Sequence, residues 1–201
     1  MTELSTLKEL QHRIALYEDM QAYKQLYELF FNPLHRFSYS LIKSKEAAEE
    51  IVSDVFIKIW QMRGELNTVA SLKVYLYVIT KNFSLNYITK HFKYPIISLD
   101  EISTDISVTI SRPDDELISA EIQQKIQSVI NDLPSQCRII FQLVKEDGLS
   151  YKEVASVLDL STLTVRNQLA IAIKKIAKSL SPNQASQVLP AKFSVSHFLS
   201  N

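Results

Sequence analysis

Between Asp147 and Lys178 the chain reads DGLSYKEVASVLDLSTLTVRNQLAIAIKKIAK, and few folds accept that pattern. Ser150 and Glu153 have the spacing of a capping box, in which each side chain satisfies a free amide at the start of a helix. The helix they open carries Val154, Ala155 and Leu158 on one side, then meets Asp159-Leu160-Ser161. Asp tolerates a left-handed backbone and Ser caps the next helix, so a turn of about three residues is predicted. Beyond it Val165, Leu169, Ala172, Ile173, Ile176 and Leu180 recur at the spacing of a single buried stripe. Thr164, Arg166, Asn167, Ala170, Lys174 and Lys175 are left facing outward.

The outward set is short and able to hydrogen-bond at the helix start, and cationic further along. That order suits base edges first and phosphates second. The pattern therefore reads as a DNA-binding helix-turn-helix, with that outward set offered to the DNA. The plainer reading is a helical hairpin with a solvated polar face. The position of Ala155, the turn length and the Ser161 cap favour the first.

The chain around this motif has 201 residues, enough for one large or two small domains with proper cores. Two glycines and little alternating hydrophobicity predict an all-α protein. Lys and Arg total 22 and so do Asp and Glu, so net charge says nothing about partners, but the distribution does. Residues 24–95 hold ten basic and six acidic side chains, 96–121 one and seven, and 122–181 eight and five. Two mildly basic blocks flank an acidic connector, as expected if the blocks touch nucleic acid and the connector does not.

The first eighteen residues are weakly amphipathic and allow a leading helix. From Asp19, Ala22, Leu26, Leu29 and Phe30 line one face until Asn32-Pro33 breaks or kinks the run. A second helix then continues with Leu34, Phe37 and Leu41. Ser44 caps a third, with Glu46 against the positive end of its dipole and Ala48, Ile51, Val52, Val55 and Ile59 inward. Its other side shows Glu49, Glu50, Ser53, Asp54 and Lys58, an arrangement that is ordinarily just solvated surface. Gly64 marks its end, and the polar loop from Gln61 to Ala70 contains Arg63.

Ser71 caps a long fourth helix with an expected buried stripe of Leu72, Tyr75, Leu76, Ile79 and Phe83. The opposite side interleaves bases, aromatics and amides: Lys73, Tyr77, Lys81, Asn82, Asn86, Tyr87, Lys90, His91, Phe92 and Lys93. Cations neutralise phosphates, aromatics stack on unpaired bases and amides bond base edges, so this mixture fits single-stranded nucleic acid. Any one of the tyrosines is as readily core as contact.

Pro95 ends that helix, and ISLDEISTDISVTIS is either a flexible linker or a short strand pair. Asp114 to Glu116 open a further helix with Leu117, Ile118, Ile122, Ile126, Val129 and Ile130 on its core face. Leu133-Pro134 separates it from Ser135–Glu146, which carries Ile139, Ile140, Leu143 and Val144. The domains expected are 19–94 and 114–181, with an N-terminal segment 1–18, a linker 95–113 and a tail 182–201 that folds back, joins an interface or hangs loose. Cys137, the one cysteine, sits on an apolar helix face and reads as an inert core thiol in a reducing compartment. No secretory signal or membrane-spanning run is legible, so a cytoplasmic protein is expected. His12, His35, His91 and His197 are scattered, and neither metal-ligand spacing nor a glycine-rich phosphate loop exists. No enzyme, cofactor, metal or small-molecule substrate is expected.

Three stretches together resemble an extracytoplasmic-function sigma factor of the bacterial sigma-70 family. AAEEIVSDVFIKIW (residues 47–60) resembles the family's polymerase-binding helix. SLKVYLYVITKNFSLNYITKH (71–91) resembles its promoter-melting and minus-ten helix, and the segment 133–176 its minus-thirty-five reader. The resemblance implies a region 2 helical bundle and a region 4 helix-turn-helix on an acidic tether. It implies that Glu49, Glu50, Ser53, Asp54 and Lys58 dock on core RNA polymerase. The loop from Arg63 to Ala70 would hold a flipped minus-ten base, with Lys73, Tyr77, Lys81, Asn82 and Asn86 along the path. Ser161, Thr164, Arg166, Asn167, Ala170 and Lys174 would read promoter DNA at the minus-thirty-five element, and the acidic connector would run towards the polymerase active-site channel. An anti-sigma partner, often membrane-bound in this family, would mask the free protein. The chain departs from the family at Ser53, where Gln is frequent, at Asp159, where Gly is, and at Ile171, where a basic residue is. The alternative from the residues alone is a helix-turn-helix regulator with an N-terminal dimerisation or ligand domain.

Overall fold

A computed structural model describes residues 3–91 and 120–179, with side chains from 6 to 91 and from 124 to 179. Among the described residues there are eight α-helices, one 3-10 helix and no strand. The chain forms two compact units. The first holds α1 (Glu3–Tyr17), α2 (Met20–Ile42), α3 (Lys45–Gln61), the 3-10 helix (Arg63–Thr68) and α4 (Leu72–His91). The second is built from α5 (Ala120–Asn131), α6 (Ser135–Lys145), α7 (Tyr151–Leu158) and α8 (Thr162–Ser179), except that Ser156–Asp159 at the end of α7 groups with the first. The acidic connector, the helix start at Asp114–Glu116, the core positions Leu117, Ile118 and Ile122, Phe92, Lys93 and the tail lie outside the described residues or side chains.

In the first unit α2 packs against α1, α3 and α4. Asp19 caps it, its carboxylate accepting from the Gln21 and Ala22 amides at 2.8 and 3.1 Å. The Arg13 guanidinium bonds the same carboxylate at 2.6 Å. Together these hold the Asp19 acid below its ordinary range, the Arg13 bond most strongly. Of the expected break or kink at Asn32-Pro33, the break does not occur, since α2 is one helix through Pro33. Ala22, Leu26, Phe30, Leu34, Phe37 and Leu41 keep one phase across the proline, and all six are buried. Burial of each large side chain contributes about 1.5–3 kcal/mol, which together outweighs the roughly 3 kcal/mol that an interior proline costs. The helix ends at Lys43, whose φ of 60° is left-handed.

Helix α1 packs within this unit. Leu7, Leu10 and Ile14 are buried, and α1 packs on the 3-10 helix. Gln11, 7% exposed, donates its side-chain amide to the carbonyls of Leu66 and Val69 at 2.5 and 2.9 Å. A buried amide so bonded costs little and fixes the loop it reaches. The α2–α3 seam is aromatic, with Tyr23 edge-on to Trp60 at 5.0 Å and Tyr27 against Phe56 at 4.7 Å. Burial pushes the Tyr23 phenol up, and its hydroxyl donates to the Phe56 carbonyl at 2.8 Å.

In the second unit α8 packs on α5 and α6. Its expected stripe of Val165, Leu169, Ala172, Ile173 and Ile176 is buried throughout; Leu180 lies beyond the described residues. Ile126 and Ile130 of α5 are buried. The α5 end is closed by Arg138, 1% exposed, which donates to the Asn131 and Leu133 carbonyls at 2.6 and 2.8 Å. The Asn131 carbonyl is one that a helix C-terminus leaves without an intrahelical donor, and the Leu133 carbonyl lies in the loop just beyond it. Cys137 is a buried free thiol that donates to the Gln168 side-chain carbonyl.

Candidate nucleic-acid interface

The motif from Gly148 to Ser179 forms as its sequence dictates. The Ser150 amide donates to the Glu153 carboxylate at 2.8 Å and the Glu153 amide to the Ser150 hydroxyl at 3.3 Å, completing the capping box that starts α7. At its other end Asp159 takes φ 55°, and the Leu160 amide returns to the Ala155 carbonyl at 3.0 Å. This is a Schellman closure with Asp in the left-handed position usually given to Gly. The departure from the family at Asp159 therefore leaves the turn intact. Ser161 then caps α8, accepting the Thr164 amide at 2.9 Å.

Around α8 each residue advances by about 100°. Asn167, Ala170 and Lys174 thus share one outward face, Arg166 flanks it on the side towards buried Ile173, and all but half-buried Ala170 are exposed. Ser161 and Thr164 stand at its leading edge, their hydroxyls bonded to each other at 2.8 Å. Thr164 keeps an acceptor lone pair for a further partner whichever hydroxyl donates. Burial pushes the phenol of Tyr151 in α7 up, and the nearby Arg166 charge works against that shift. Ile171, where the family favours a base, is 45% exposed and supplies no charge.

The first unit corrects the reading of α4. Its buried line is Leu72, Leu76, Thr80, Ser84 and Ile88, with Tyr77 and Lys81 beside it, whereas Tyr75, Ile79 and Phe83 are only partly covered. Tyr77 is 1% exposed and packs on Phe37 with ring centroids 5.4 Å apart, so it is core and not a stacking platform. Two hydroxyls hide in this line because each has a partner. Thr80 donates to the Leu76 carbonyl at 2.8 Å, and the Ser84 hydroxyl meets that of Ser38 at 2.9 Å. The single nucleic-acid face expected on α4 is also divided. Asn82 and Asn86 are exposed one turn apart, and Lys90 continues their line. Lys73, nine residues before Asn82, projects about 180° away and is half-buried. His91 stacks on Tyr87 at 4.2 Å.

The loop before α4 is a 3-10 helix anchored by Leu66, which is fully buried, and by the Gln11 amide. Glu65, Asn67, Thr68 and Ala70 remain exposed. Arg63 is held in place, 4.9 Å over the Trp60 ring, donating to the Trp60 carbonyl at 3.0 Å and to Glu18 at 2.9 Å. Part of its charge is therefore answered within the chain. Gly64 sits in the 3-10 helix, with open space where a Cβ would stand.

On α3, Ala48, Ile51, Val52, Val55 and Ile59 are buried as expected. Ser44 accepts the Ala47 amide at 3.2 Å and donates to Glu46, whose acid is lowered by its own backbone amide and by that hydroxyl. Glu49, Glu50, Asp54 and Lys58 are exposed. Ser53 is half-buried and returns its hydroxyl to the Glu49 carbonyl at 2.9 Å. The sequence reading missed Ile57, which is 53% exposed among these charges. Its place off the buried stripe was the available signal.

A helical bundle with an acidic outer helix, followed by a capped helix-turn-helix, defines a two-unit DNA-binding transcription protein. Similar proteins narrow this class. The profile of Sigma-70 region 2 matches residues 26–93, and that of Sigma-70, region 4 matches residues 123–176. The ECF RNA polymerase sigma-E factor of Haemophilus influenzae is 25% identical over 146 residues, 69% of this chain and 77% of that protein. The sigma-E factor of Escherichia coli K12 is 28% identical over 140 residues, 66% of this chain and 73% of its own. Among solved structures, CnrH in complex with the cytosolic domain of CnrY has a TM-score of 0.55 at 17% identity, covering 86% of this chain and 96% of that one. The sigma factor RpoE in complex with the anti-sigma factor NepR from Bartonella quintana has a TM-score of 0.53 at 21% identity, covering 78% and 94%. The chain belongs to the sigma-70 family as an extracytoplasmic-function sigma factor, a subunit that directs promoter recognition by RNA polymerase. The region 2 match also replaces the alternative of an N-terminal dimerisation or ligand domain. No described helix is long and apolar enough to cross a membrane.

Proposed function

We propose that the two units divide promoter recognition between duplex reading and strand capture, and that both act on core RNA polymerase. The observation that carries this is the outward face of α8. A capped helix start, then Asn167, Ala170 and Lys174 on one line with Arg166 flanking it, offers base-edge donors first and a phosphate cation last. This face reads the minus-thirty-five element in the major groove. In the module 19–94 the exposed rim of the 3-10 helix, with Asn82 and Asn86, takes the unpaired minus-ten strand. Arg63 adds positive charge beside that rim, Lys73 lies on the other side of α4 within reach of the 3-10 helix end, and Tyr77 and Lys81 support the helix from its covered side. Glu49, Glu50, Ser53, Asp54 and Lys58 dock the subunit on polymerase.

The connector 95–113 joins this module to 114–181 and runs towards the polymerase active-site channel. The protein adds no catalytic group of its own and works in the cytoplasm. An anti-sigma partner masks it when free, a reading supported by two fold relatives solved with such partners or with a partner's cytosolic domain. Replacing Arg166 and Lys174 by Ala tests the α8 assignment. Lys174→Ala reduces the salt dependence of promoter binding by about one counterion, and Arg166→Ala relaxes upstream sequence choice. Unchanged promoter choice and salt slope refute the assignment.

A further inference from the structure

Resting on that reading of α8, we propose that Leu163 contacts the C5 methyl group of one thymine in the upstream promoter element and fixes that base pair. Leu163 is 63% exposed, the most exposed large apolar side chain of the second unit among the described residues. The α8 core does not need it, for the stripe from Val165 to Ile176 is buried on the opposite side. By helical geometry Leu163 lies within about 20° of Ala170 and Lys174, about 40° of Asn167 and about 60° of Arg166. It therefore stands at the head of the same line that carries the polar readers.

The position matters because the first turn of a recognition helix meets base edges most directly. That turn is rigid here: Ser161 caps it, and the Ser161 and Thr164 hydroxyls are joined at 2.8 Å. A leucine can bond neither a phosphate nor any donor or acceptor of a base. The apolar group that B-DNA presents in its major groove is the thymine methyl. Ala170, about 10 Å further along the axis and half-buried, faces the groove roughly three base steps away. Arg166 and Asn167 lie between them, with guanine and adenine edges as their natural partners. Ile171 is turned about 80° from Leu163 and has no such role.

The test uses the full chain with core polymerase on a promoter selected by transcription from a randomised upstream library. Each upstream thymine is replaced singly by deoxyuridine, which keeps the pairing and removes only the methyl. One position loses about fourfold in promoter binding, the worth of roughly one buried methyl-sized group. Leu163→Ala loses about the same on the thymine template and shows no further loss with deoxyuridine there. This variant folds, because the site is exposed and Ala favours helix. Arg166→Ala is run in parallel. If it weakens binding while the deoxyuridine scan is flat, or while Leu163→Ala stays sensitive to the methyl, the thymine contact is wrong and the α8 assignment stands. If Arg166→Ala and Leu163→Ala both leave binding unchanged, both fall.

Discussion

The long helices α4 and α8 are built on opposite plans. The buried side of α8 is wholly apolar, so its 3.6-residue period is visible in the letters and its outer face emerges by subtraction. The buried side of α4 includes Tyr77, Thr80, Lys81 and Ser84, while Leu85 reaches the surface at 36% exposure. Hydroxyls can be buried there because backbone carbonyls one turn back, and Ser38, accept or share their protons. A helix with satisfied polar groups inside loses the amphipathic contrast on which periodicity rests. The difference teaches that an outer face is legible only where the inner one is apolar.

The sharpest way to break this comparison is to cut each buried line. Leu169→Ala removes an apolar residue that is 1% exposed, and equilibrium unfolding followed by circular dichroism loses about 2–5 kcal/mol. A loss near zero would mean that the α8 stripe is not the core of its unit. Ser84→Ala strips the Ser38 hydroxyl of its partner and costs about 1–3 kcal/mol, read from the fluorescence of Trp60, the single tryptophan. The double variant Ser38→Ala, Ser84→Ala loses less than the two single losses added, since no orphaned hydroxyl remains. Simple additivity would show that the two hydroxyls do not support each other.

Smaller effects refine the picture. Ser161→Ala removes the α8 cap and costs about 1 kcal/mol in the same unfolding measurement. The Asp19 acid is held below its unfolded value, so its contribution is present above the unfolded pKa and fades as pH falls through the lower folded one. Asp19→Asn accordingly flattens the acid limb of the stability curve, read by titrating Trp60 fluorescence below neutral pH. An unaltered acid limb would remove Asp19 from the groups that set it. At a site that solvent still reaches, the change is modest.

Much of the second unit was legible: the capping box, the left-handed Asp159, the Ser161 cap and the stripe of α8 all arise from local chemistry within a few residues. The α3 core was legible for the same reason. What escaped depends on distant partners. Gln11 looks like any surface amide until the chain brings Leu66 and Val69 to it, 55 and 58 residues away. Arg138 reads as a surface cation until the end of α5 supplies its carbonyls. Pro33 predicts a break, yet an apolar line that stays in phase on both sides keeps α2 whole. On the outer faces of α3 and α8 the polar side chains stood out by type, whereas Leu163 and Ile57 could be found only by their places off the buried stripes, once the core had been filled without them.

The proposal that both units act together on polymerase is measured most directly by transcription from defined templates. Core RNA polymerase, this chain and a duplex promoter library are combined at moderate salt, and transcript starts are mapped with the chain present and absent. Specific starts that require the chain, that shift upstream preference with Arg166→Ala, and that recover on a premelted minus-ten template when Asn82 and Asn86 are both replaced by Ala, are the predicted result. A chain that neither associates with core polymerase nor directs any start contradicts the account.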